Sequence, residues 1–383
     1  MVVAFVTADV AGVKILSHQL PLIPIYNIMK NQGYDCRWAQ WHSPWGKCNG
    51  VNESDIQCYV TGDEGIRDPE KTKKTFYHPH GLHPRERSYY HTHWYGCLTP
   101  GEYWFSHINR KGEFVELDNG KIDFDLDNLS KMPITGWAKM DVLFQKNKEE
   151  IISEYKLKLP YEKTVLYAPA GNWDYATSFD KSIEHIINLF SKLPYNLIIK
   201  NAIYSGSFEK WEYFINVMKN PPSNMTTIMN PVKQITSVEA KTPDITPLYK
   251  IADLLITDGS SVAWEFIGVD KPAIQLNNMI DPISSLMQGP CGSYCDIEKE
   301  KGVYRYDSKY GESKVVNEFE ECKACGGVIK SSLNELESNV VDAIEYPNRY
   351  ASIRRNWAKT VNAYVDGKCA QRCVDAIKRI AEI

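Results

Sequence analysis

The sequence predicts an α/β protein in two halves, each a parallel sheet with helices, with a cleft between them. Three observations carry this reading. The chain opens on a buried-strand run, "VVAFVTA", followed by a helical pattern, "SHQLPLIPIYNIMKNQGY". The alternation restarts after Pro160, where "KTVLYAPA" leads into "FDKSIEHIINLFSKLP" and then "YNLIIKNA". The length of 383 residues suits two domains of ~100–200 residues each.

Taken in order, prolines near its start and Gly33 near its end bound the first helix. "TFYHPHGLHP", "EYWFSHI" and "MPITGWAKMDVLF" read as short strands ending in polar turns. Residues 145–160, "QKNKEEIISEYKLKLP", are charged, helical and closed by Pro160, so the domain junction is expected there. "TPLYKIADLLITDGSSVAWEFIGVDKPAIQL" supplies helix, strand, helix and strand, and residues 277–330 are irregular. "SLNELESNVVDAIEYPNRYASIRRNWAKTVNAY" and "AQRCVDAIKRIAEI" close the chain as helices. The expected division is 1–150 for an acceptor-side domain, 160–350 for a nucleotide-donor domain, and 351–383 for helices packing back across the domains.

Composition narrows the function. A net charge of −4 gives no support for general nucleic-acid binding. No apolar run approaches the ~20 residues needed to span a bilayer, and "MVVAFVTADV" reads as a strand rather than a signal peptide. A cytoplasmic setting is expected, where the ten cysteines would be mostly reduced. No GxGxxG and no Walker-type sequence occurs, so neither a dinucleotide oxidoreductase nor an NTPase is indicated.

The motif that asks for chemistry is Asp258-Gly259-Ser260-Ser261, between an apolar run and an amphipathic helix. With Ser260 as the helix cap, free N–H groups and the positive end of the helix dipole would face the turn and favour an anion. A capping serine on a purely structural helix is the plain alternative. Asp258 would bond either the turn's backbone or a ribose, whereas Asp253 and Asp270 are expected only at strand ends.

Eight of the nine histidines lie between residues 18 and 107, and His78, His80, His83, His91 and His93 fall within sixteen positions. A general base near neutral pH is most easily made from histidine. Strand alternation would put His78 and His80 on one side. An H-x-H-x-x-H zinc site and ordinary core or surface histidines remain open alternatives. Cys291, Cys295, Cys322 and Cys325 form two pairs that could hold a structural zinc, or be reduced thiols of a loop. Cys369 and Cys373, four apart on a helix, are expected to pack.

Several blocks together resemble the CDP-glycerol glycerophosphotransferases, the polymerases and primases of wall teichoic acids. "IADLLITDGSSVAWEFIGVDKP" is similar to the family's "aDlLITDySSv" block, "VLYAPAGNWD" to "iLYAPTwRd", and "ITGWAKMDVL" to "vtGyPRnDvL". "HGLHP", residues 80–84, stands where the family has a histidine–glycine motif, and "YVDGKCAQRCVDAI" resembles its terminal "DGkAseRi". The resemblance implies a GT-B fold of two Rossmann-like domains facing a cleft and needs no metal cofactor. It implies transfer of an alditol phosphate, glycerol or ribitol, from a CDP-alditol to a hydroxyl of a polyol-phosphate or glycan acceptor, which family members carry on a lipid at the inner membrane face. His80 would be the catalytic base; Lys200, Ser205, Asp258, Gly259, Ser260 and Ser261 would hold the donor. Two features depart from the pattern. Asn201 and Ala202 replace a His-Pro pair, so that either a phosphate ligand is lost or Lys200 and Ser205 take its place, and "AGNWD" lacks the arginine. A nucleotide-sugar glycosyltransferase of the same fold, and a non-catalytic glycan- or nucleotide-binding relative, are the alternatives.

Overall fold

A computed structural model describes residues 2–10, 13–14, 19–42, 48–49, 52–62, 74–82, 94–101, 131–169, 178–200, 208–228, 244–258, 260–276, 297–298, 303–304, 307–308, 311–312 and 328–383. The chain divides into two compact units, residues 1–145 with 359–383, and residues 146–358.

The first unit is built on strands β1 (Val2–Val10), β2 (Asp35–His42), β3 (Ile56–Thr61), β4 (Thr75–Tyr77) and β5 (Gly96–Cys97), with helix α1 (Ile23–Asn31) between β1 and β2. They run parallel in the order β2-β1-β3-β4-β5, and two-residue strands at 13–14 and 48–49 pair antiparallel with β1 and β2. Parallel sheets tend to be buried on both faces, which is why β1 reads as a continuous apolar run, whereas β2 alternates exposed Asp35 and Arg37 with buried Cys36 and Ala39. Pro24 falls in the first turn of α1, where no intrahelical N–H is needed, and Gly33 takes φ 91° just past its end. The core joins Phe5, Val60, Phe76 and Leu98 to Ile25 and Met29 of α1, and to Cys373, Val374 and Ile377 from the far end of the chain.

The second unit begins with α2 (Lys148–Tyr155), opened by a capping box between Asn147 and Glu150 and closed by Lys156 in the left-handed region, short of the expected stop at Pro160. It continues with β6 (Thr164–Tyr167), α3 (Phe179–Phe190), β7 (Asn196–Ile199), α4 (Phe208–Met218), β8 (Met225–Thr227), α5 (Leu248–Ile251), β9 (Leu254–Thr257), α6 (Val262–Ile267), β10 (Ala273–Gln275), β11 (Val328–Lys330) and α7 (Leu336–Glu345). Its sheet is all parallel, in the order β8-β7-β6-β9-β10-β11. In strand sequence this is the 3-2-1-4-5-6 order of Rossmann sheets, and it reverses between β6 and β9. Val165, Leu197, Ile199, Leu254, Ile256 and Ile274 pack here with Phe179, Ile183, Ile187 and Phe190 of α3 and Leu336 and Val340 of α7.

Helix α8 (Ala351–Val361) carries the chain back into the first unit, and α9 (Cys369–Ala381) ends it. Arg354 of α8 is buried and bonds both the carboxylate and the carbonyl of Asp270. Asp253 accepts from Thr164 N–H and so serves a strand end as expected, whereas Asp270 sits at φ 57° after α6 and is paired with Arg354 and Arg355 instead. The segment "MPITGWAKMDVLF" is not a strand. It makes one bridge, Thr99 with Ile134, and then a 3-10 helix over Ala138–Phe144, because Gly136 turns the chain at φ 75°. Among the described residues no helix is long and apolar enough to cross a membrane.

Candidate active site

In the second unit, β6 and β9 end side by side at the point where strand order reverses, the place where open α/β sheets bind ligands. Lys200 follows β7, on one side of β6, and Asp258 follows β9, on the other. Two strand spacings, about 10 Å, separate those strand ends. Lys200 is held by its main-chain N–H to Tyr167 O, and is 8% exposed.

Asp258 is fully buried, and its carboxylate accepts from the N–H (2.7 Å) and the hydroxyl (3.0 Å) of Ser178, the residue before α3. Its carbonyl accepts from Gln275 Nε2 at 2.9 Å. The Ser178 and Ser182 hydroxyls both meet Tyr167 OH, whose ionisation burial pushes upward. Asp258 thus bonds a neighbouring helix start, and neither of the two partners expected for it from the sequence is needed to explain its burial. The turn it begins is tied from below to β6, α3 and β10.

The helix after the turn starts later than expected. Ser261, not Ser260, stands at the N-cap of α6, without a side-chain capping bond. Ser260 Oγ lies 3.4 Å from Val262 N, and the first turn closes on the carbonyls of Ser260 and Ser261. Ser261 Oγ donates to Glu265 Oε1 (3.3 Å), a buried carboxylate that also takes the Tyr249 hydroxyl at 2.6 Å. Lys271 of the "DKP" block donates its Nζ to the carbonyls of Tyr249, Lys250 and Ala252 at the end of α5, and burial brings its ammonium down to about 8. This block is therefore a frame around the turn.

In the first unit, His78 and His80 follow β4. Strand alternation no longer applies there, and the two rings meet different neighbours. His78 is fully buried, its Nδ1 at 3.0 Å from Leu98 O and its Nε2 accepting from Ala138 N–H at 3.2 Å. A carbonyl only accepts, so Nδ1 carries the proton and the ring is neutral. Burial lowers its pKa to about 4. With both nitrogens occupied, His78 cannot ligate zinc as it stands. His80 is half-buried, and its Nδ1 donates to Gly62 O, just past β3, at 3.0 Å. In the neutral ring this makes Nε2 the basic nitrogen, the form a general base requires.

The His78–His80 turn rests on residues that sequence reasoning quoted but gave no role. The indole N–H of buried Trp137 donates to Pro79 O at 2.9 Å, and Lys139 Nζ lies 4.9 Å over the same ring. Asp141, in the same block, accepts from the Cys369 and Ala370 amides (3.0 and 2.7 Å) and so caps α9. Burial raises its carboxyl above the usual range, against the pull of those amides. Gly259, Ser205, His83, His91 and His93 lie outside the described residues, as do Cys291, Cys295, Cys322 and Cys325 of the expected zinc alternative. Among the described residues no three His, Cys, Asp or Glu side chains group to hold a metal. Cys369 and Cys373 are buried free thiols packed in the first unit's core.

Residues 128–299 match the model of the family described as CDP-Glycerol:Poly(glycerophosphate) glycerophosphotransferase. No curated protein sequence matches the chain. Among solved structures it is similar to the wall teichoic acid polymerase TagF, at TM-score 0.60 and 15% identity over 99% of this chain and 89% of that one. It is also similar to a putative UDP-N-acetylglucosamine 2-epimerase from Listeria monocytogenes, at TM-score 0.53 and 10% identity over 98% of this chain and 95% of that one. The UDP-GlcNAc 2-epimerase of Methanocaldococcus jannaschii matches at TM-score 0.52 and 13% identity, over 99% of this chain and all of that one. At these identities the likeness is one of fold: the two parallel α/β sheets are those of the GT-B type.

Proposed function

Starting from a chain that resembles the CDP-glycerol glycerophosphotransferases in its motifs, in the family match over residues 128–299 and in its fold, we propose that it transfers an alditol phosphate from a CDP-alditol to an acceptor hydroxyl. The donor's diphosphate lies at the switch point of the second sheet, on Lys200, the Asp258–Ser261 turn with Gly259, and Ser205. His80 Nε2 takes the proton of the acceptor hydroxyl. The oxygen attacks the β-phosphorus, the bridging P–O bond breaks, CMP leaves and a phosphodiester forms. The imidazolium then returns its proton to solvent. Catalysis rests on position and charge, as in phosphoryl transfer generally. The acceptor on this reading is a polyol-phosphate or glycan, lipid-linked and met at the inner membrane face.

The observation that carries the proposal is His80 Nδ1 on Gly62 O, which leaves Nε2 the basic nitrogen at the carboxyl edge of its sheet. The test is incubation of the protein with CDP-glycerol, CDP-ribitol and UDP-sugars, each with a polyol-phosphate acceptor. Release of CMP from a CDP-alditol supports the reading. Release of UDP alone replaces it with sugar transfer, and nucleotide binding without release replaces it with a binding protein.

A further inference from the structure

Trp137 is fully buried, and a buried indole N–H needs an acceptor. The acceptor it has is Pro79 O, at 2.9 Å, the carbonyl of the peptide that joins Pro79 to His80. Proline has no N–H and its ring fixes φ, so the carbonyl is the one main-chain group by which Pro79 can be tied. Holding it sets the plane of the peptide that leads into His80. The next residue of the same segment acts beside it: Ala138 N–H donates to His78 Nε2 at 3.2 Å. Two successive residues of one segment thus hold two successive residues of the His78–His80 turn.

That segment is itself fixed. Trp137 N–H donates to the buried Asn362 Oδ1 at 2.9 Å, Thr135 N–H donates to Thr99 O at 2.8 Å, and Gly136 between them takes φ 75°. All these residues belong to the first unit. From its far side the His80 ring is held by Nδ1 on Gly62 O at 3.0 Å. With the peptide and the ring both held, Nε2 keeps one direction.

We propose that Trp137 is a positioning residue for His80: through Pro79 O it fixes the peptide that carries the base, and so the direction of Nε2. This rests on the reading of His80 as the base. Without the indole N–H the peptide tilts and Nδ1 is drawn off Gly62 O. A displacement of about 1 Å at a reacting group costs on the order of 10²-fold in rate.

Two variants remove the N–H. Trp137→Phe keeps an aromatic ring. Trp137→benzothienylalanine, introduced at this position alone, keeps both fused rings with sulfur in place of the N–H. Both are read in protein whose thermal unfolding shows it folded. The first readout is the tautomer of His80, from the 15N shifts of its ring in mildly alkaline solution, with the signal identified by its absence from His80→Gln. The wild type should show the Nδ1–H form, and the variants a mixture with the Nε2–H form. The second is CMP release from CDP-glycerol with glycerol 3-phosphate as acceptor. There kcat should fall roughly ten- to a hundred-fold with KM for CDP-glycerol unchanged, since the donor residues belong to the second unit. A lower unfolding midpoint with the wild-type tautomer and kcat would make Trp137 a packing residue only and overturn the proposal. If the wild type itself releases no CMP, the transferase reading fails and the tautomer alone decides. A shift to the mixture then still supports the hold of Trp137 on His80, and an unchanged Nδ1–H form overturns it.

Discussion

Asp141 and Ala370, 229 positions apart, are joined by a 2.7 Å hydrogen bond from the Ala370 amide to the Asp141 carboxylate, beside a second from Cys369. The "GWAKMDVL" and "DGKCAQR" blocks are therefore two halves of one joint, in which the first caps the helix of the second. Asp141→Ala leaves two buried amides without an acceptor and removes the cap. Urea unfolding should show the first unit destabilised by roughly 2–4 kcal/mol. A midpoint unchanged from wild type would mean the cap does not hold the helix.

Gly136 is part of the same joint. It adopts φ 75°, and a Cβ there would lie 2.6 Å from Cys369 Sγ. Gly136→Ala should destabilise by about 2 kcal/mol or more, through strain and overlap together. Gly136→Ala with Cys369→Ala should recover only part of this, because the backbone strain persists. Full recovery in thermal unfolding would show that contact alone mattered.

His78 makes stability depend on pH. Its folded pKa, about 4, lies below the ordinary value of 6.5, so in the window between them the unfolded chain binds a proton that the folded one refuses. The stability that neutral His78 maintains is whole above 6.5 and lost as pH falls towards 4. At pH 5 the loss is on the order of 2 kcal/mol. Comparing urea unfolding at pH 7 and pH 5, His78→Gln should be less acid-sensitive than wild type by that amount. Parallel losses in both proteins would remove His78 as the cause.

The donor turn is tested by binding. Replacing Ser260 and Ser261 together by alanine should weaken CDP affinity by about 1–3 kcal/mol, the scale of hydrogen bonds to a charged group. Ser261 directs its proton to Glu265, so Ser260→Ala should account for most of the effect. Calorimetry that finds full affinity in the double variant would move the diphosphate elsewhere.

Much of this frame was legible in the sequence. Apolar runs such as "VLYA", "NLII" and "LLIT" are buried on both faces of a parallel sheet, and their shortness and polar flanks mark them as strands. "MPITGWAKMDVLF" misled because its apolar residues pack a 3-10 turn whose stability comes from Asp141 and α9, far along the chain. The start of α6 slipped by one residue because Ser260 and Ser261 are equally good caps by type. Two histidines one residue apart could not be told apart by type either. Tertiary contacts separate them: His78 is sealed between Leu98 O and the Ala138 N–H, whereas His80 bonds Gly62 O and is half-buried. The contacts of Lys139 and Asn362 with Trp137 carried no signal, since they are tertiary.

The most direct test of the account is the rate of CMP release from CDP-glycerol by His80→Ala, measured beside its CDP affinity. A general base contributes ~10²–10⁴-fold, so kcat should fall by that factor, while CDP binds as it does to the wild type because the donor residues belong to the second unit. Full turnover in His80→Ala, or lost CDP affinity with the rate constant intact, would contradict the assignment of His80 as the base.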